Sequence, residues 1–95
     1  MNGYDVLAQI LSQEGIDFIS AFPMQQLIDS CSKIGIRPVI CRQERVGVGI
    51  ADGYSRVKNG NPFGVFTMQQ GPGAENAFAG VAQSFADSVP LLHLA

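Results

Sequence analysis

Hydrophobic and polar positions along the chain alternate between two rhythms. From Tyr4 to Glu14 apolar residues recur at helical spacing, with Val6, Leu7, Ile10 and Leu11 on one face, and Gly15 supplies a stop. Phe18 to Phe22 is a short apolar run that reads as a strand. Pro23 lacks the N–H that a first helical turn leaves unpaired, so it can open a second helix. Leu27, Ile28, Cys31 and Ile34 stripe that helix, and Gly35 ends it. Ile36 to Cys41 is a second strand with β-branched Ile36, Val39 and Ile40. Gln43 to Lys58 is a third helix, with Val46, Ile50, Tyr54 and Val57 as its expected apolar face. Arg56 and Lys58 suit the negative end of its dipole. After the break at Asn59-Gly60-Asn61-Pro62, Phe63 to Met68 is a third strand. The loop Gln69 to Gly73 leads into a fourth helix, Ala74 to Ala86, striped by Ala74, Phe78, Val81 and Phe85. Val89 to Leu94 is the fourth strand.

The order is therefore α-β-α-β-α-β-α-β. Strands that are apolar on both faces and joined by helices imply an α/β fold, an open parallel sheet with helices on both faces. Ligands on such sheets sit beyond the carboxyl ends of the strands. That rule selects three strand-to-helix turns: Ala21 to Met24, Cys41 to Glu44 and Gln69 to Gly73.

Composition narrows the partners. Only 15% of the 95 residues are charged, against about 25% in a typical soluble domain, so much of the surface is expected to be covered. The net charge is -2 with no basic patch, which argues against nucleic acid. There is no apolar run long enough to span a membrane. The start, MNGYDVLAQ, has neither the basic nor the apolar region of a secretion signal, so a cytoplasmic location is expected. Cys31 and Cys41 fit neither a redox pair nor a zinc knuckle and read as free thiols. His93, the one histidine, lies on an apolar strand and reads as a hydrogen-bonded core residue. No Asp, Glu or His cluster has metal-ligand spacing, so no metal site is expected within the chain. The apolar end, VPLLHLA, suggests a fragment or one part of a larger assembly.

Two stretches are candidates for chemistry. In RQERVGVGIADGY, Glu44 stands between Arg42 and Arg45. From residue type alone it is a helix-start acid favoured by the dipole and by either arginine. The helix behind it carries Gly47, Gly49, Ala51 and Gly53 at alternate positions. Glycine inside a helix costs roughly 0.5–1 kcal/mol relative to alanine. Close approach of another backbone, or of a second subunit, is the expected reason, and it would put Glu44 at the edge of a packed seam. The second stretch is QQGPGAEN. It is either a turn whose glycines relieve strain or a helix start whose N–H groups meet an anion or a polar ring. Its spacing matches neither GxGxxG nor the Walker A loop.

Five linked motifs then coincide: Arg42-Gln43-Glu44, Ala51-Asp52-Gly53-Tyr54-Ser55-Arg56, Gly60-Asn61-Pro62, Gly71-Pro72-Gly73 with Asn76, and Asp87-Ser88-Val89-Pro90-Leu91. In order and spacing they resemble the N-terminal pyrimidine-binding domain of thiamine diphosphate enzymes, in particular the acetolactate synthase and 2-oxo acid decarboxylase group. The resemblance implies that residues 1–95 are that domain, incomplete, from a lyase or transferase acting on a 2-oxo acid. It implies a catalytic, cofactor-binding Glu44 that hydrogen-bonds N1′ of the cofactor's aminopyrimidine and promotes loss of the C2 proton. It places Pro23, Gly71, Pro72, Gly73 and Asn76 on the cofactor and Gln69 and Gln70 on the substrate side. In relatives the diphosphate and Mg²⁺ are held by a second domain with a G-D-G…N motif, which this chain lacks. The implied partners are a homo-oligomer (dimer or tetramer) or a separate chain carrying that domain, and the 95 residues alone are expected to be inactive. Two turns depart from the family pattern. Ala21-Phe22-Pro23-Met24 replaces G-x-P-G, and Gln69-Gln70 replaces T-S, which leaves the substrate open. The alternative of another class is a non-catalytic assembly module that only pairs with a partner chain. A flavodoxin-like nucleotide binder fits the element order but lacks a phosphate fingerprint.

Overall fold

A computed structural model describes residues 1–95. Its elements are α1 (Gly3–Gln13), β1 (Phe18–Ala21), α2 (Gln25–Lys33), β2 (Arg37–Ile40), α3 (Glu44–Lys58), β3 (Gly64–Thr67), α4 (Pro72–Ala86) and β4 (Leu91–Leu94). Every element expected from the hydrophobic rhythm is present. The boundaries move by a few residues: α4 starts at Pro72, and β4 starts only at Leu91. No helix is long and apolar enough to cross a membrane.

The four strands form one parallel sheet in the order β2-β1-β3-β4. The chain runs out from β1 to β2, then returns past β1 to β3. Helices α1 and α2 cover one face and α3 and α4 the other. Side chains of a strand point alternately to the two faces. Thus Ile19 and Val65 join Ala8, Leu11, Leu27 and Cys31 in one core. Phe66 and Met68 join Val48, Ala51 and Ala77 in the other. All four residues of β3 are buried, as a strand in the middle of a covered sheet must be.

The faces of the helices differ from the expectation. Helix α3 turns Glu44, Gly47, Val48, Ala51 and Ser55 inward, while Val46 is exposed and Val57 is 85% exposed. Helix α4 turns Gly73, Ala77 and Ser84 inward, and leaves Phe78 exposed and Phe85 86% exposed. Val6 and Ile10 of α1 and Ile34 after α2 are exposed as well. The physical reason is close packing. Large residues dominate an apolar stripe, but the helices approach the sheet and each other where their residues are small. A Cβ on Gly47 would lie 2.2 Å from Cε1 of Phe66, and one on Gly80 would lie 2.1 Å from Cγ1 of Val48. The alternating glycines do not share one cause, because a Cβ on Gly49 or Gly53 would meet nothing within 4 Å.

The far ends of α3 and α4 are clasped together. Arg56 donates to Asp52 at 2.6 Å and to Asp87 at 2.7 Å, and the Ser84 hydroxyl also donates to Asp52. The Arg56 hydrogen bond holds the Asp52 carboxyl below the usual carboxylate range, with the Ser84 hydroxyl helping against partial burial. A depressed folded pKa stabilises the fold above the unfolded value and loses that effect as pH falls through the folded value. The stability difference between the native protein and Asp52→Asn is therefore expected to be full near neutrality. It should vanish once the pH is well below the ordinary value of 3.8. Urea unfolding across an acid series measures this, and a difference that persists at the acid end would contradict it.

Candidate functional site

The sheet order reverses between β1 and β3, so a crevice opens at their carboxyl ends. The turns after β1, β2 and β3 meet there. Gln43 caps α3 in an extended conformation (φ -141°, ψ 144°) without a side-chain bond, and the chain enters the helix at Glu44. Glu44 is 8% exposed. Its Oε1 accepts a hydrogen bond from Nδ2 of Asn76 at 3.4 Å, which is long for such a bond. Arg42 and Arg45 are exposed, and neither makes an ion pair; both ion pairs in the chain belong to Arg56. A helix-start acid held by its neighbouring arginines is therefore not what the fold contains. Glu44, both arginines, Phe22, Gln43 and Asn76 line a depression of about 510 Å³.

The start of α4 completes this side. Gly71 has φ 67°, in the left-handed region that favours glycine, and Pro72 follows in the first turn, where no N–H is needed. Gly73 is buried, and a Cβ there would lie 3.3 Å from Oε2 of Glu44 and 3.2 Å from Cγ of Met68. A side chain at Gly73 would crowd the carboxylate, and its absence leaves the start of α4 open beside Oε2.

A second depression, about 580 Å³, lies past the Phe22–Pro23 step. Pro23, Met24, Gln69 and Gln70 line it, with Tyr4 from α1 and Gln25 and Gln26 from α2. The residues expected at the site are thus divided. Glu44, Gly73 and Asn76 cluster on one side, and Pro23, Gln69 and Gln70 on the other. Gly71 and Pro72 sit exposed at the start of α4. Sequence reasoning did not single out Tyr4, Gln25, Gln26 or Phe22. The strand-end rule included Phe22 in its range, but nothing local marks Tyr4, which reaches the crevice only through the packing of α1.

The other titratable residues read as structural. Burial raises the Cys41 thiol, and the charge of nearby Glu44 raises it further. Burial also raises Cys31, and both thiols are free. His93 packs beside Phe66, with Nε2 3.3 Å from Sδ of Met68, and burial lowers its pKa, so its ring is neutral at physiological pH. No group of three or more His, Cys, Asp or Glu residues is placed to hold a metal ion.

Residues 1–95 match the family described as thiamine pyrophosphate enzyme, N-terminal TPP binding domain. The acetolactate synthase large subunit of Haemophilus influenzae is 31% identical over 96 residues, covering 97% of this chain and 16% of that protein. The chloroplastic acetolactate synthase of Arabidopsis thaliana is 36% identical over 96 residues, covering 95% of this chain and 14% of that protein. The acetolactate synthase isozyme 3 large subunit of Escherichia coli is 31% identical over 98 residues, covering 99% and 17%. The chain thus spans 14 to 17% of the length of these curated relatives.

Proposed function

We propose, because the chain belongs to the thiamine pyrophosphate enzyme family as its N-terminal TPP binding domain, that it supplies the aminopyrimidine half of a thiamine diphosphate site. The site would serve a lyase or transferase acting on a 2-oxo acid. The observation that carries this reading is the buried Glu44 carboxylate with spare acceptor capacity. An ionised carboxylate offers about four acceptor positions, and the side chain of Asn76 fills one of them at 3.4 Å. The carboxylate borders a depression, and the missing Cβ of Gly73 leaves room beside Oε2. A flat ring with a nitrogen able to share a proton fits that acceptor.

In this reading Glu44 holds and exchanges a proton at ring nitrogen N1′, and Asn76 fixes the carboxylate. Gly73 leaves room beside the carboxylate, Pro23, Gly71 and Pro72 lie on the turns that flank it, and Gln69 and Gln70 face the substrate. When bound, thiamine diphosphate supplies the electron sink for decarboxylation, while the protein positions and tunes it. The diphosphate and a Mg²⁺ ion are assigned to another domain, because the chain offers no cluster of ligands for the metal. That domain would meet this half-site in the assembly, from a second copy of the full-length protein in a homo-oligomer or from a partner chain. The exposed Val46, Val57, Phe78 and Phe85 support an assembly in which these helices are covered.

The test combines the chain with the diphosphate-holding part of the enzyme, thiamine diphosphate and Mg²⁺, and measures CO₂ release from 2-oxo acids. Turnover is expected with both parts together and with neither alone. Calorimetry on the 95-residue chain alone should find no tight binding of thiamine diphosphate. Submicromolar binding by this chain would refute the half-site. Assembly without cofactor-dependent turnover would favour a non-catalytic module instead.

A further inference from the structure

The depression beside the Phe22–Pro23 step differs in chemistry from the one beside Glu44. Four glutamines line it, Gln25, Gln26, Gln69 and Gln70, together with Tyr4, Pro23 and Met24, and no charged residue does. Three charged side chains, Arg42, Glu44 and Arg45, line its neighbour. Gln25 is held in place, because its Nε2 donates to Asp29 at 2.9 Å. Gln26, Gln69 and Gln70 are exposed and their side chains make no hydrogen bond within the chain, so three solvated carboxamides can exchange water for a ligand. The two depressions share one turn: Phe22 lines the first and Pro23 the second. A molecule reacting beside Glu44 therefore has this amide-lined space as its neighbour.

We infer that the glutamine-lined depression selects a substrate arm that is polar and uncharged, bearing a hydroxyl or a carboxamide, and that Gln69 and Gln70 set this preference. The inference rests on the 2-oxo acid reading above. Each carboxamide offers two N–H donors and a carbonyl acceptor. A hydroxyl is also both donor and acceptor, so it can be matched by either end of the amide. An alkyl arm matches neither, and a site built to hydrogen-bond a hydroxyl discriminates strongly against the analogue lacking it. A charged arm finds no counter-ion, since the free arginines lie on the Glu44 side of the turn.

The test uses the catalytically complete enzyme and compares kcat/KM for hydroxypyruvate with that for pyruvate. A preference for hydroxypyruvate of about tenfold or more is expected. Gln69→Leu with Gln70→Leu should reverse the ratio, while Gln69→Asn with Gln70→Asn should retain most of it. A ratio that favours pyruvate in the native enzyme, or that the leucine changes leave in place, overturns the inference. Binding gives a readout without turnover. Glycerate and lactate are the unreactive reduced counterparts of the two substrates. Glycerate should shift the nitrogen-15 side-chain amide signals of Gln69 and Gln70, and lactate should not. If neither 2-oxo acid is consumed, the catalytic reading fails. Glycerate-selective shifts would then still support the polar depression, and equal shifts or none would sink it.

Discussion

Glu44→Gln is expected to lower the cofactor-dependent turnover of the complete enzyme by about 10²- to 10⁴-fold, the range that a positioned acid–base group contributes. The substitution is close to isosteric. The amide oxygen of glutamine can still accept from Asn76, as Oε1 does at 3.4 Å, and no heavy atom is added toward Gly73. The charge and the proton equilibrium are removed, and one acceptor oxygen becomes an N–H donor. No ion pair is broken, because neither arginine engages Glu44. The fold should therefore survive, with a melting temperature within a few degrees of the native one. Steady-state kinetics at saturating thiamine diphosphate and a thermal melt on the same preparation separate the two effects. Native turnover in the variant would end the assignment of Glu44 as the proton-sharing group. Loss of turnover together with loss of the melt would show that the residue is structural.

Gly64→Ala should be the most damaging single methyl group in the chain. A Cβ at this position would stand 2.0 Å from the carbonyl oxygen of Ala51. The obstacle is backbone, so no rotamer change relieves it. Nor can β3 slide away, because the Gly64 N–H donates to Oγ of Ser55 at 2.6 Å, inside the core. Overpacking typically costs roughly 1–3 kcal/mol, and a clash with backbone belongs at or beyond the upper end. About 3 kcal/mol corresponds to a fall in melting temperature of some 12 °C or more in a domain of this size. Gly49→Ala is the control. Its Cβ meets open space, and alanine is the better helix former, so a gain of roughly 0.5–1 kcal/mol is expected. A Gly64→Ala protein that melts near the native temperature would mean that α3 does not sit this close to β3.

The sequence made the succession of elements readable, because covered parallel strands are short apolar runs and the helices before β1, β2 and β3 end at glycines or an asparagine-rich break. It also placed Glu44 and the Gln69–Gly73 loop at the carboxyl edge of the sheet, where both are found. The faces of α3 and α4 were not readable in the same way. Counting large apolar residues selects Val57 and Phe85, whereas the contact with the sheet runs through Gly47, Ala51 and Ala77. Periodicity weighs side-chain size, but packing also rewards its absence. The pairing of Glu44 with Asn76 joins residues 32 apart in the chain and has no local signal. Tyr4 escaped notice for a similar reason, since only the docking of α1 brings it to the depression that the glutamines line.

Helix α3 carries Glu44 at its first turn and Arg56 near its last. At about 1.5 Å per residue the two lie about 18 Å apart along the axis. That separation makes the helix a rod whose ends can be altered independently. Changes at sites farther apart than about 10 Å with no shared partner generally sum. A double substitution at Glu44 and Arg56 should therefore show the proton-transfer defect of one and the stability defect of the other, with almost no coupling between them. Natural variation at the clasp can adjust how firmly the domain holds together without reaching the carboxylate.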